Sequence, residues 1–263
     1  MSSDSLIDYR SDGGVAFLTL TNPPANAYSF AMMKQLDAAI LEARFDDAVH
    51  VLVVAGAGEK VFCAGADIAM LNAVTPSFKY NFCLHANETL LRLEQTPKLV
   101  IGALNGHCVG GGLEIAMACD LRIARRGGFK IGLPEVNLGV LPGTGGTQRL
   151  ARLVGKSRAI ELMALGETFS CERALAIGLL TAIFDAEGFN EKIGEYARQF
   201  CPPHKASFAV GRIKRAVQSG AEIPLESGLA LERELQQELF CSADAGEGIA
   251  AYIERRKPVF RGR

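Results

Sequence analysis

The sequence predicts an α/β layered domain with a helical C-terminal part, and three observations carry that reading. Short β-branched apolar runs alternate with stretches of helical spacing over the first two-thirds of the 263 residues. Glycine- and proline-marked turns separate these runs. From about Asn190 onward the pattern is almost purely helical.

The elements follow in order. Val15 to Leu20 is apolar on both faces and reads as a buried strand, ended by Thr21-Asn22-Pro23-Pro24. Phe30 to Arg44 carries Met32, Leu36, Ile40 and Leu41 at helical spacing. Val49 to Ala55 is a second β-branched run, closed by Gly56 and Gly58. A longer helix is predicted from Pro76 to Glu94, stopped by Pro97, and a third strand from Leu99 to Leu104. Leu225 to Phe240 sets Leu229, Leu231, Leu235 and Leu239 among charges, a helix with much apolar surface. The composition shift near 190–200 divides the chain into a core, residues 1–195, and a helical region, 196–263, too small to hold a core alone.

Composition narrows the function classes. With 49% hydrophobic and 22% charged residues the chain has ample core material, and a net charge of -1 gives no global attraction to nucleic acid or anionic membrane. The 7 cysteines are single and lack CxxC spacing, the pattern of buried free thiols in a reducing compartment. The opening MSSDSLIDYRSDGG has acids and no apolar core, so no signal or transit peptide is expected there, and no run approaches the roughly 20 apolar residues of a spanning helix. The expectation is a cytoplasmic globular protein with no membrane association.

The chemistry concentrates in Leu99 to Asp120, LVIGALNGHCVGGGLEIAMACD. A strand leads through Gly106 to Gly110-Gly111-Gly112 and an apolar helix beginning near Leu113. Consecutive glycines at a helix start let a ligand approach unpaired N–H groups at the positive helix end, which suits a developing negative oxygen. Glu114 lies in the first turn of this helix and shares a face with Met117 and Ala118. A carboxylate on an apolar face is costly unless paired or used. Taken alone, Glu114 reads equally well as an acid complementing the helix dipole. Glu135 is the sole charge in IGLPEVNLGVLPGTGG. Following a proline, it begins a short extended or helical turn against apolar surroundings, where burial and a nearby acid would raise its pKa. Alone it reads equally as a loop glutamate. Two such acids can divide donor and acceptor roles on one water. In VFCAGADI, the turn after the second strand, Asp67 reads as a helix N-cap while the small residues leave amides open to an anion.

VFCAGADI, ALNGHCVGGGLEIAMACDLRIA, IGLPEVNLGVLPGTGGTQRLARLVG and the C-terminal AYIERRKPVFRGR, in this order, resemble the crotonase (enoyl-CoA hydratase/isomerase) superfamily over essentially the whole chain. The resemblance implies a crotonase-type spiral of ββα units with perpendicular sheets and a helical C-terminal trimerisation region, giving homotrimers or hexamers. It implies an oxyanion hole from the backbone N–H groups of Ala64 and Gly111, and catalytic roles for Glu114 and Glu135. Retaining both glutamates favours an enoyl-CoA hydratase, adding water to a 2-enoyl-CoA, over an isomerase or another acyl-CoA lyase. It further implies an acyl-CoA substrate along Ala27, Lys60, Ala66, Asp67, Ile68 and Pro142, with Tyr252 and Arg255 reaching a neighbour's CoA. No separate cofactor is implied, because coenzyme A is part of the substrate. Three departures stand out: Ala69 where a lysine is common, Tyr28 where a leucine is usual, and one extra residue between the glutamates, placed at Arg126-Gly127-Gly128.

Other readings fail on residues. Leu150 stands where a P-loop's first glycine belongs, Gln148 breaks a GxGxxG loop, and no GxSxG elbow exists. The 4 histidines lack metal-ligand spacing, and His107 reads as a satisfied structural histidine. RNA binding through the early helix is disfavoured because Leu36 to Asp47 carries Asp37, Glu42, Asp46 and Asp47 against Arg44 alone. A catalytically silent homologue is the remaining non-enzyme alternative.

Overall fold

A computed structural model describes residues 5–263; the first residues of the opening segment, 1–4, lie outside the described residues. The chain begins with β1 (Ile7–Asp12), β2 (Val15–Leu20), α1 (Phe30–Phe45), β3 (Val51–Gly56), β4 (Val61–Cys63), α2 (Ile68–Ala73) and α3 (Pro76–Glu94). It continues through β5 (Leu99–Leu104), β6 (His107–Val109), α4 (Gly111–Met117), β7 (Leu121–Arg125) and β8 (Ile131–Gly132) to a 3-10 turn, Glu135–Leu138. Then come α5 (Gly146–Val154), α6 (Lys156–Leu165), β9 (Thr168–Phe169), α7 (Cys171–Ala176) and β10 (Ala182–Phe184). The helices α8 (Phe189–Arg198), α9 (Ser207–Gly220), α10 (Leu225–Phe240) and α11 (Ala243–Glu254) end it.

The six-stranded sheet has the order β1-β2-β3-β5-β7-β10. Only β1 and β2 pair antiparallel; the other neighbours run parallel. The inner strands β2, β3 and β5 are apolar on both faces because both faces are covered. Ala16, Leu18, Leu20, Leu52, Val54 and Val100 face the main core, where Met32, Leu36 and Ile40 of α1 meet them. Val15, Phe17, Val51, Val53 and Ile101 face a second core closed by Phe189, Ile193 and Ala197 of α8. Each such valine, leucine, isoleucine, methionine or phenylalanine contributes about 1.5–3 kcal/mol by leaving water, so both helical layers are held chiefly by burial.

The four-stranded sheet, β4-β6-β8-β9, positions the chemistry. β4 runs parallel to β6 and β6 to β8, with Cys63 beside Cys108 and Cys108 beside Ile131. Parallel neighbours end at one edge of a sheet. The turn after Cys63, the glycines after Val109 and the 3-10 turn after Gly132 therefore emerge side by side.

Lys214 of α9 anchors the C-terminal helices. Its buried ammonium meets Asp120 at 2.8 Å and donates to the Lys98 carbonyl at 3.0 Å, while Gln218 donates to Asp120 at 2.8 Å. Thr75 and Asp67 cap α3 and α2 by accepting from Phe78 and Met70 N–H at 3.2 and 3.0 Å. Of the cysteines, Cys63, Cys108, Cys119, Cys171 and Cys201 are buried free thiols, whereas Cys83 is half-buried and Cys241 exposed. Among the described residues no helix is long and apolar enough to cross a membrane.

Candidate active site

Glycine is required where β6 turns into α4. Gly110 has φ +57°, a left-handed value that side chains rarely adopt. A Cβ at Gly111 would overlap the Tyr28 ring, and one at Gly112 would overlap the Cys63 carbonyl. The helix start is thus pressed against β4 and against the turn that precedes α1. Within the chain, and among the described residues, the Gly111 N–H donates no hydrogen bond, whereas the Gly110 N–H donates to Gly132 O at 2.9 Å.

The turn after β4 supplies a second set of amides, and here the structure corrects one expectation. The Ala64 N–H donates to the Ala25 carbonyl at 3.0 Å, so it is already committed and is not an open donor. The flanking pairing explains which amide stays open. Tyr28 N–H donates to Gly65 O and Asp67 N–H donates to Tyr28 O, both at 2.9 Å, leaving Ala66 between them as a parallel bridge partner of Tyr28. The Ala66 N–H has no hydrogen bond among the described residues. Gly65 packs directly on the Gly111 nitrogen, 3.3 Å from where a Cβ would stand, so the two open amides belong to adjoining turns.

Glu114 is 2% exposed. Its Oε1 accepts from Thr144 N–H and Gly146 N–H, each at 2.7 Å, in the turn that leads into α5. Burial raises its pKa; the Gly146 and Thr144 amides, the Thr144 hydroxyl and the Arg149 charge oppose the rise. Arg149 is itself paired with Glu94 at 2.8 Å. The result is a desolvated carboxyl held in one orientation.

Glu135 opens the 3-10 turn directly after Pro134. Its Oε1 lies 3.0 Å from the position of a Cβ on Gly110, at the mouth of the glycine turn. Its Oε2 is buried without a hydrogen-bond partner. Burial pushes its pKa up to about 7, its own N–H opposes the rise, and the Glu114 charge adds to it. The influence of the Glu114 charge on Glu135 puts the two acids within electrostatic reach of each other. An unpartnered buried carboxyl oxygen is costly in a finished fold.

Of the remaining expected contacts, Ala27 and Ala66 come together through the Tyr28 bridge, with Asp67 next in line. The Asp67 side chain is spent on capping α2, and Ile68 is 57% exposed beside it. Pro142 is buried and packs on Gly146, the residue whose amide holds Glu114. Lys60, Tyr252 and Arg255 are exposed, and no hydrogen bond or ion pair joins their side chains to the site among the described residues. His107 Nδ1 accepts from Lys130 N–H at 3.1 Å, a structural role. A cleft of about 370 Å³ between Thr96, α9 and α10 is lined by Arg212, Lys214, Glu234 and Glu238, away from both catalytic candidates.

Sequence reasoning missed three contributors: the Tyr28 hydroxyl, Thr144 and Gly146. The Tyr28 Oη lies 2.9 Å from Thr144 Oγ1, across a separation of 116 residues. The only available signals were an unusual tyrosine before α1 and a threonine between glycines.

Residues 10–263 match the family model described as Enoyl-CoA hydratase/isomerase. A probable enoyl-CoA hydratase of Bacillus subtilis is 38% identical over 253 residues, covering 95% of this chain and 96% of the relative. A short-chain-enoyl-CoA hydratase of Clostridium acetobutylicum is 38% identical, covering 94% of each chain. The crystal structure of an enoyl-CoA hydratase from Geobacillus kaustophilus superposes with a TM-score of 0.96 at 44% identity, covering 100% of this chain and 98% of that one. The α/β architecture with its C-terminal helices is therefore the crotonase fold, as the sequence motifs implied. With fold, motif order and full-length similarity in agreement, the chain belongs to the enoyl-CoA hydratase/isomerase family.

Proposed function

We propose that this protein is an enoyl-CoA hydratase that adds water reversibly to a 2-enoyl-CoA, giving a 3-hydroxyacyl-CoA. The observation that carries the reading is the buried Glu114 carboxyl together with the half-buried Glu135 carboxyl, beside the open amides of Ala66 and Gly111. The amides would receive the thioester oxygen and stabilise the enolate that forms as C3 is attacked. The hydroxyl oxygen of water bonds to C3, one water proton passes to a carboxylate, and a carboxyl proton is delivered to C2. Atoms and charge balance over the cycle, with the pair returning to its starting state.

The Ala27, Ala66, Asp67 and Ile68 turns and Pro142 form the substrate wall in this reading. Lys60, Tyr252 and Arg255 remain candidates for contacts to the CoA phosphates, the last two from a neighbouring subunit. Exposed apolar residues on three helices support a homotrimer or a hexamer. They are Ile213 and Val217 of α9, Leu225 and Leu229 of α10, and Ile249 and Ile253 of α11. Light scattering on the purified chain tests that assembly.

The test of activity is loss of the enoyl-thioester absorbance with crotonyl-CoA, in the parent and in Glu114→Gln and Glu135→Gln. Each variant should fall by about 10²- to 10⁴-fold in kcat. If both glutamine variants hydrate as fast as the parent, the paired-acid mechanism is wrong. If the parent leaves crotonyl-CoA untouched but converts a 3-enoyl-CoA to its 2-enoyl isomer, the protein is an isomerase.

A further inference from the structure

We infer that Asn87 is a positioning residue for Glu114: by gripping the Gly143 carbonyl it fixes the peptide unit whose N–H, that of Thr144, holds the carboxylate. The consequence for rate rests on the hydratase reading above.

A trans peptide unit is rigid, with its C=O and N–H pointing in opposite directions, so whatever fixes the oxygen aims the hydrogen. Two such units, Gly143–Thr144 and Gly145–Gly146, donate to Glu114 Oε1, each at 2.7 Å. Their far ends are held differently. The Gly145 carbonyl accepts from Gln148 N–H at 3.1 Å and Arg149 N–H at 2.9 Å, so the opening turn of α5 itself aims the Gly146 N–H. The Gly143 carbonyl precedes that helix and receives nothing from it. Its one hydrogen bond among the described residues comes from the Asn87 side-chain amide of α3, at 3.3 Å.

The placement follows from helical spacing. Cys83 and Asn87, one turn apart on α3, face the same loop: a Cβ on Gly143 would stand 3.4 Å from Cys83 Sγ, and one on Gly145 3.5 Å from Asn87 Oδ1. The rest of the loop is tied elsewhere. Glu94, at the end of α3, pairs with Arg149 at 2.8 Å, and Arg149 also donates to the Thr144 carbonyl at 3.4 Å. The Thr144 hydroxyl lies 2.9 Å from Tyr28 Oη. These ties keep the loop in place without Asn87, whose own contribution is the tilt of a single peptide plane. An amide suits the position because it donates to a carbonyl without adding charge beside a buried carboxyl; an aspartate of the same shape has no proton to offer when ionised.

Asn87→Leu removes the donor and keeps much of the shape. The direct measurement is the amide proton shift of Thr144 in deuterated protein carrying ¹³C′-glycine and ¹⁵N-threonine, in which Gly143–Thr144 and Gly146–Thr147 are the glycine–threonine pairs. In N87L the Thr144 proton should move upfield as its bond to Glu114 lengthens, while Thr147, inside α5, stays near its parental position. Asn87→Asp should move Thr144 the same way. With crotonyl-CoA, kcat of N87L should fall about two- to tenfold, with KM changed by less than about twofold.

An unmoved Thr144 proton in a folded N87L, or equal movement of Thr144 and Thr147, would overturn the assignment. Should N87L fail to fold, an unmoved Thr144 proton in N87D would overturn it instead. If Thr144 moves as stated but the parent does not hydrate crotonyl-CoA, the positioning role stands and the hydratase reading falls.

Discussion

Glu135→Gln is the substitution whose effect on stability can be worked from the site itself. The folded-state pKa of Glu135 is pushed up to about 7 from an ordinary 4.5. A raised carboxyl pKa means that the native state holds the proton more tightly than the unfolded chain. Its contribution is fully present below the unfolded value, near pH 4.5, and is lost as pH rises through about 7. The shift of roughly 2.5 pH units corresponds to an upper bound of about 3.4 kcal/mol at 1.36 kcal/mol per unit. Glu135 is only partly buried, so solvent screening reduces this to about 1–2 kcal/mol. Glutamine cannot ionise, so the variant should lack that pH dependence. The assay is thermal unfolding of parent and variant at one protein concentration, at pH 5 and pH 8. Between those values the parent should lose roughly 2–6 °C more than the variant, at about 2–4 °C per kcal/mol for a chain of this size. Equal losses would show that Glu135 ionises without penalty, and the account of its environment would be refuted.

Three further outcomes follow from the geometry. Gly112→Ala forces a Cβ onto the Cys63 carbonyl, and because both are backbone the strain should cost about 1–3 kcal/mol in denaturant unfolding and distort the adjacent amides enough to lower kcat. Asp120→Ala strands the Lys214 ammonium, whose side chain is 4% exposed, and should destabilise by about 3–5 kcal/mol in the same experiment, whereas removing both partners by replacing Lys214 with methionine as well should restore part of the loss. Butyryl-CoA, which has no double bond to hydrate, should shift the amide resonances of Ala66 and Gly111 more than that of Ala64 in a ¹⁵N spectrum; a dominant Ala64 shift would return the donor role to that residue.

Long elements were legible because their periodicity is long. Pro76–Glu94, Leu99–Leu104 and Leu225–Phe240 are observed at the bounds read from the sequence, and Val15–Leu20 likewise. The second strand is displaced slightly, to Val51–Gly56, and α4 starts at Gly111 instead of near Leu113. β1 escaped because IDYRSD is half polar and lies at the sheet edge, exposed along much of its length. The four strands of the smaller sheet escaped because runs of two or three residues carry no period. Those unread strands decide which turns meet, so Glu114 and Glu135 could be named but their neighbours could not. The Ala64 assignment failed for a related reason. Whether an amide in the AGAD turn is open depends on the Ala25 carbonyl, which reaches it through a tertiary hydrogen bond that no local pattern encodes.

The parallel pairing of β4 with β6 has a consequence for how such a site can change over generations. Ala66 and Gly111 lie in the turns just beyond those two strands, and neighbouring strands in any sheet lie about 4.7–4.9 Å apart. The separation of the two amides is therefore inherited from the pitch of the sheet and owes little to the identity of any side chain. Substitution can swap the acids that surround this pair while the spacing of the two amides stays as the sheet sets it. The backbone sets the frame, and the carboxyls are the parts that substitution can exchange.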